Sequence, residues 1–215
     1  MTQKVVTPSA PMTDGQIDKA VDHYRNVLRK HRDEIGSSDG VQQVLGQSGY
    51  LAELLAVIRK HVEAVSRMFS RHVRVNRALT PDQVLDSTGR VRGYVDEHVL
   101  ATMPGVGSGP EEIAVQFFEL DYDPTPAELA KEYELRELVA DGAALGQAMT
   151  DDPTLADERP VACQWDIDED GAASYAVVRW RGRRRVAVHR VAGRWFRLCR
   201  FAGVPQVVFD LVPLG

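Results

Sequence analysis

The chain predicts an α+β protein with an N-terminal helical hairpin, a mixed middle region and a C-terminal antiparallel β-meander. Three observations predict it. Apolar residues recur at helical spacing in two N-terminal stretches, Ile17 to Leu28 and Leu51 to Phe69. Two Thr-Pro pairs, Thr80-Pro81 and Thr125-Pro126, followed by Gln83 and Glu128, have the form of capped helix starts. From Val161 onward apolar and polar residues alternate between turns that contain glycine. These patterns divide the 215 residues into a disordered tail (1–12), a helical hairpin region (13–79), an acidic mixed α/β region (80–160) and an arginine-rich antiparallel β region (161–215).

The first helix opens on the capping-box pair Thr13 and Gln16 and carries Ile17, Ala20, Val21, Tyr24, Val27 and Leu28 on one side. It ends between His31 and Glu34, before Gly36-Ser37-Ser38. Val41 to Leu45 is a short helical turn stopped at Gly46. Tyr50 to Phe69 forms the long second arm, with Leu51, Leu54, Leu55, Ile58, Val62, Val65 and Phe69 as its stripe. The two stripes are expected to pair as an antiparallel hairpin. The second arm ends in a basic run: Arg59, Lys60, Arg67, Arg71, Arg74 and Arg77.

In the middle region, Val73 to Ala78 alternates weakly as a strand. Thr80 starts a short helix that stops by Gly89, and Asp96 caps another over 97–102. Gly105 to Pro110 reads as a flexible loop, and Ile113 to Leu120 as a buried strand. The helix from Thr125 runs to about Val139, with Glu132 and Arg136 as an i,i+4 pair, and a further helix covers 143–149. The β region then follows: Val161 to Ile167, Ser174 to Trp180, Arg185 to Val191 and Arg194 to Ala202 as successive strands of one meander.

A composition of 44% hydrophobic residues supports a real core. There is no apolar run long enough to span a bilayer, so no membrane partner is expected. Two distant cysteines and no secretory signal point to a reducing cytoplasm. The net charge of −5 conceals a segregation. Residues 1–81 carry a net +4, residues 82–170 a net −17, and residues 171–215 a net +8. One reading is that the acidic middle neutralises the basic end within the molecule; the other is that the basic end faces an anionic partner.

No motif names a reaction. Asp166-Ile167-Asp168-Glu169-Asp170-Gly171 matches half of a calcium loop, but Val177 stands where the bidentate Glu belongs, so it reads as an acidic hairpin tip. Gly105-Val106-Gly107-Ser108-Gly109 follows a helix and precedes two glutamates, the wrong order for a phosphate loop. Glu119, Asp121 and Asp123 fall at period two, a spacing that suits magnesium, but a strand end explains them as well. The histidines and cysteines lack metal-ligand spacing, and Cys163 and Cys199 read as core thiols on neighbouring strands. No catalytic residue, metal site or cofactor is assigned.

The strongest signal is the arginine ribbon. Arg179, Arg181, Arg183, Arg184, Arg185, Arg190 and Arg194, with Trp180 and Trp195, are the candidate nucleic-acid-binding residues; Arg197 and Arg200 extend the run. Arginine holds phosphates bidentately and stacks on aromatic rings, and basic strands with aromatics can hold nucleic acid.

Segments such as Met12-Thr13-Asp14, Leu79-Thr80-Pro81-Asp82-Gln83-Val84-Leu85-Asp86-Ser87-Thr88-Gly89-Arg90, Ala156-Asp157-Glu158-Arg159-Pro160 and Phe201-Ala202-Gly203-Val204 resemble an uncharacterised family of small bacterial and phage-associated, mobile-element proteins. The resemblance runs from Met12 onward and implies no activity. It implies a whole small protein with Met1 to Pro11 as an appendage. The expected function is a non-enzymatic accessory protein that binds nucleic acid through the ribbon. The alternatives are a protein-interaction module or inhibitor working through the acidic middle, and a metal-dependent enzyme using Glu119, Asp121 and Asp123.

Overall fold

The computed structural model describes residues 12–66, 68–109 and 111–206. The expected N-terminal tail, and Arg67 of the basic run, lie outside them. The chain forms two units, Met1–Val57 and Ile58–Gly215.

The first unit is helical. Helix α1 (Asp14–Lys30) starts with the expected capping box, in which Thr13 and Gln16 satisfy each other's backbone N–H groups. Helices α2 (Arg32–Ile35) and α3 (Ser38–Leu45) follow, and α4 (Ser48–Ser66) begins in this unit. The Tyr24 and Tyr50 hydroxyls meet at 2.6 Å, joining α1 to the start of α4. The expected greasy seam is not closed: Ile17, Val21, Val27, Leu28, Leu51 and Leu55 all remain exposed, and α1 holds no buried residue.

The second unit is built on one sheet. Its strands are β1 (Met68–Arg74), β2 (Val91–Val95), β3 (Glu112–Glu119), β4 (Leu138–Val139), β5 (Val161–Ile167), β6 (Ala173–Trp180), β7 (Arg184–Val191) and β8 (Arg200–Pro205). The strand order is β1-β3-β8-β5-β6-β7-β2, with β4 also pairing β8. As expected, β5, β6 and β7 form an antiparallel meander. The sheet as a whole is mixed. β8 leaves the meander and inserts between β3, which it meets antiparallel, and β5, which it meets parallel. β2 adds parallel to β7 at the far edge.

The departure of β8 has a local cause. Residues 194–199, expected as the start of a strand, are pulled out of the ladder. The Trp195 N–H donates to the Pro124 carbonyl at 2.7 Å, and its indole N–H donates to Gln164 Oε1 at 2.7 Å. Gln164 in turn donates to the Pro126 carbonyl at 2.9 Å. Regular pairing resumes only at Arg200.

Between the strands lie helices α5 (Pro81–Ser87), α6 (Glu97–Ala101), α7 (Pro126–Leu135) and α8 (Gly142–Asp151). The capping boxes of α5 and α7 form as expected, each with proline in the first turn. Side chains of alternate residues point to opposite faces of the sheet, and two cores result. On the first face Val84, Leu85, Leu100, Leu145 and Met149 from α5, α6 and α8 pack on Val161, Val178, Val186 and Val188. On the second, Leu129 and Tyr133 of α7 and the Trp195 segment pack on Phe118, Tyr175 and Phe201. Cys163 and Cys199 are both free and buried, but they belong to opposite cores, and Cys199 is not on a strand. Burial pushes the Cys163 thiol up to about 12.

Residues 105–109 are not a loose loop. Arg77 and Asp141 form an ion pair of 2.7 Å and are only 8% and 7% exposed. Asp141 also caps α8 through the Ala144 N–H at 2.8 Å, and Arg77 donates to the Gly105 carbonyl at 2.8 Å. The loop closes over this pair. A Cβ at Gly105 would strike the Asp141 carboxylate, and the φ of +84° there suits glycine. At Gly105 the buried ion pair occupies the space a side chain would need.

Candidate nucleic-acid interface

Period-two alternation sorts the predicted arginines by face. On β6, Ala176 and Val178 belong to the first core and Tyr175 and Val177 to the second. Trp180 therefore stands on the first face and Arg179 on the second. On β7, Val186 and Val188 place Arg184 and Arg190 on the first face, and Ala187 places Arg185 on the second.

The first-face arginines find acids from the middle region. Arg184 grips Asp157 through Nε at 3.0 Å and Nη2 at 2.7 Å, which holds the Asp157 carboxyl below its ordinary range. Arg190 bonds Asp168 at 2.6 Å. Arg200 bonds Glu119 through Nε at 3.1 Å and Nη2 at 2.9 Å, and Arg159 takes the other oxygen of Glu119. Arg194, off the ladder, reaches Glu128 at 3.3 Å and the Asp123 carbonyl at 2.7 Å. For these four the internal neutralisation anticipated from the charge pattern is realised.

Arg179 and Arg185 differ. They sit directly opposite each other on β6 and β7. Neither makes a salt bridge with a described residue, and the Nε of each is buried without a hydrogen-bond partner. Like charges directly opposed on a sheet repel, and buried donors without acceptors cost stability. Burial of Nε means that both stems lie along the sheet before the heads reach solvent.

The same face continues past Val177 and Ala187 to Tyr175 and His189, which are also opposite each other. The Tyr175 hydroxyl bonds His189 Nε2. Tyr94 of β2 meets the His189 ring edge-on with centroids 5.5 Å apart, and is 67% exposed. Burial pulls His189 below its ordinary value and pushes Tyr175 up to about 12. Arg179 is near enough for its charge to act on Tyr175, His189 and Cys199. This face thus carries two cations at one end and Tyr175 and His189 at the other, with Val177 and Ala187 between them buried in the second core and Tyr175 packed on Trp195.

The remaining predicted residues scatter. Arg181 and Arg183 flank Gly182 at the exposed tip of the β6–β7 hairpin, closed by the Arg181 N–H to the Arg183 carbonyl at 3.0 Å. Trp180 is exposed, but on the first face beside Arg184. Trp195 is buried as a core residue bonded to Gln164 and presents no surface. Sequence reasoning missed Tyr94 and His189. Alternation on β7 could have placed His189 with Arg185, whereas Tyr94 lies on a strand too short to register.

The acids considered for magnesium do separate work. Glu119 holds two arginines, and Asp123 accepts the Arg197 N–H at 2.6 Å. Asp168, of the calcium-like sequence, accepts the Ala172 N–H at 2.8 Å and pairs with Arg190. Among the described residues no group of three or more His, Cys, Asp or Glu side chains is placed to hold a metal. No helix among them is long and apolar enough to cross a membrane. No protein-family model, curated protein or solved structure matches the chain.

Proposed function

We propose that the protein binds nucleic acid on the second face of its C-terminal sheet, with Arg179 and Arg185 as the phosphate clamp. The observation that carries the reading is the pair of opposed arginines that no described acid reaches. An anion between them would relieve their repulsion and accept hydrogen bonds from the guanidinium heads that reach solvent. Tyr94 and His189 lie on the same face as stacking surfaces for bases. Arg181 and Arg183 at the hairpin tip extend the positive field. The arginines that already hold acids, and the buried Trp195, drop out of the binding set.

The test is fluorescence anisotropy of a labelled oligonucleotide titrated across salt concentration. Wild-type binding should weaken steeply with salt, because phosphate neutralisation releases counterions. R179A/R185A should flatten the slope of log affinity against log salt by roughly 1.5 to 2. R184A should leave the slope unchanged. Binding insensitive to salt, or an unchanged slope in the double variant, would defeat the proposal.

The protein-interaction reading has less support. Glu132 of the acidic region is held by Arg136 at 2.5 Å and by the Tyr122 hydroxyl at 3.0 Å, and several other acids of that region are committed to arginines.

A further inference from the structure

We infer that α1 is a self-association helix that pairs antiparallel with the α1 of a second copy of this chain. Two observations carry it. The first is burial. Ile17, Val21, Tyr24 and Leu28 form a stripe with steps of four, three and four residues, the seam spacing of a coiled coil, and all four are at least 40% exposed, Tyr24 even with its hydroxyl on Tyr50. A helix of 17 residues that buries none of them is marginal in water.

The second observation identifies the partner. Asp14, Asp18, Asp22, Arg25 and Arg29 follow one another at steps of three and four residues, so they form one row along a single flank of the stripe. The row is acidic throughout its N-terminal half and basic throughout its C-terminal half. A parallel copy would set acid against acid and base against base. An antiparallel copy sets each half against its opposite, and the two-fold axis makes every contact twice. In that register Ile17 meets the partner's Leu28, Val21 meets the partner's Tyr24, and Asp18 faces the partner's Arg25, whose exposed in-helix pairing with Asp22 at 2.5 Å leaves it half open to a second acid. Helix α4 is a poorer match. Its N-terminal half offers Glu53 as its one acid, on the side away from the Leu51–Leu54–Ile58 stripe.

Charge order along a helix also suits the helix dipole, but that effect is confined to the terminal turns. Asp18 and Arg25 are interior, so they separate the two explanations. The experiment is sedimentation equilibrium on the full chain, with circular dichroism to confirm helix content. Wild type should be a dimer with twice the 23.9 kDa chain mass, and V21E should be monomeric. D18R and R25D should each raise the dimer dissociation constant about tenfold, and D18R/R25D should return it to within about threefold of wild type, since the swapped charges face each other again. A monomeric wild type overturns the inference. So does a double variant as weak as its singles combined, or a dimer indifferent to all three changes.

Discussion

The two faces of the C-terminal sheet use the same residue type to opposite ends. On the first face Arg184, Arg190 and Arg200 each meet a carboxylate delivered by another part of the chain. On the second, Arg179 and Arg185 face each other and no described acid reaches them. The strands, the hairpin and the solvent are shared, so the difference lies in what the connections supply. The loop after α8 brings Asp157 and the end of β3 brings Glu119 to the first face. The segment at Trp195 brings apolar groups to the second. Positive charge on this sheet is structural where acids arrive and available where they do not.

The sharpest way to break the comparison is to make a satisfied arginine unsatisfied. Asp141→Ala removes the carboxylate that pairs with Arg77 and caps α8, in a site that is less than a tenth exposed. The expected cost is about 3–5 kcal/mol, measured by chemical denaturation. A loss under about 1 kcal/mol would mean that a buried arginine without a carboxylate is tolerated here, and the contrast with Arg179 would lose its force.

The next test reverses the sign. Arg185→Leu removes one of two opposed charges and one buried unpaired Nε. It should leave stability unchanged or raise it by up to about 1 kcal/mol, while weakening oligonucleotide binding. Arg184→Ala should instead lower stability slightly, by about 0–1 kcal/mol, and leave binding alone. Finding both variants equally destabilised would show that the two faces do not differ as described.

The smallest effect is with pH. His189 lies below its ordinary value of 6.5, chiefly through burial. The unfolded chain therefore takes up its proton first as pH falls. Stability from this group is intact above 6.5, declines as pH drops through it, and levels out below the folded-state value. A bound phosphate beside Arg179 would favour protonated His189, so binding should tighten modestly as pH falls toward the lowered value of the free protein. Nuclear magnetic resonance of the His189 ring, free and bound, checks both signs.

The legible parts of this fold were those set by near neighbours. Thr13, Thr80 and Thr125 with Gln16, Gln83 and Glu128 fixed three helix starts within four residues each. The β5–β7 meander followed from alternation and tight turns. What could not be read depends on contacts far along the chain. Arg77 and Asp141 are 64 residues apart, so the glycines that close over them looked like a flexible loop. β2 is short, contains Gly93 and pairs with a strand some 90 residues on, at Arg185. Trp195 carried the composition of a binding residue, and only Gln164 and Pro124 reveal it as an anchor. The pairing of Arg179 with Arg185 was within reach, since both follow from the register of a hairpin with a known turn.

The place of β8 bears on how the chain is made. It is the last described strand in sequence, yet it sits between β3 and β5 in the middle of the sheet. During synthesis β1–β3 and β5–β6–β7 can each pair as soon as they leave the ribosome, but as two separate ribbons. Each ribbon keeps an open inner edge, with Val115, Phe117 and Phe118 on β3 and Val161, Cys163 and Trp165 on β5, until Arg200–Pro205 emerges to join them. Late closure of long-range contacts slows folding and exposes sticky intermediates, so chaperone dependence should centre on the interval before β8 appears.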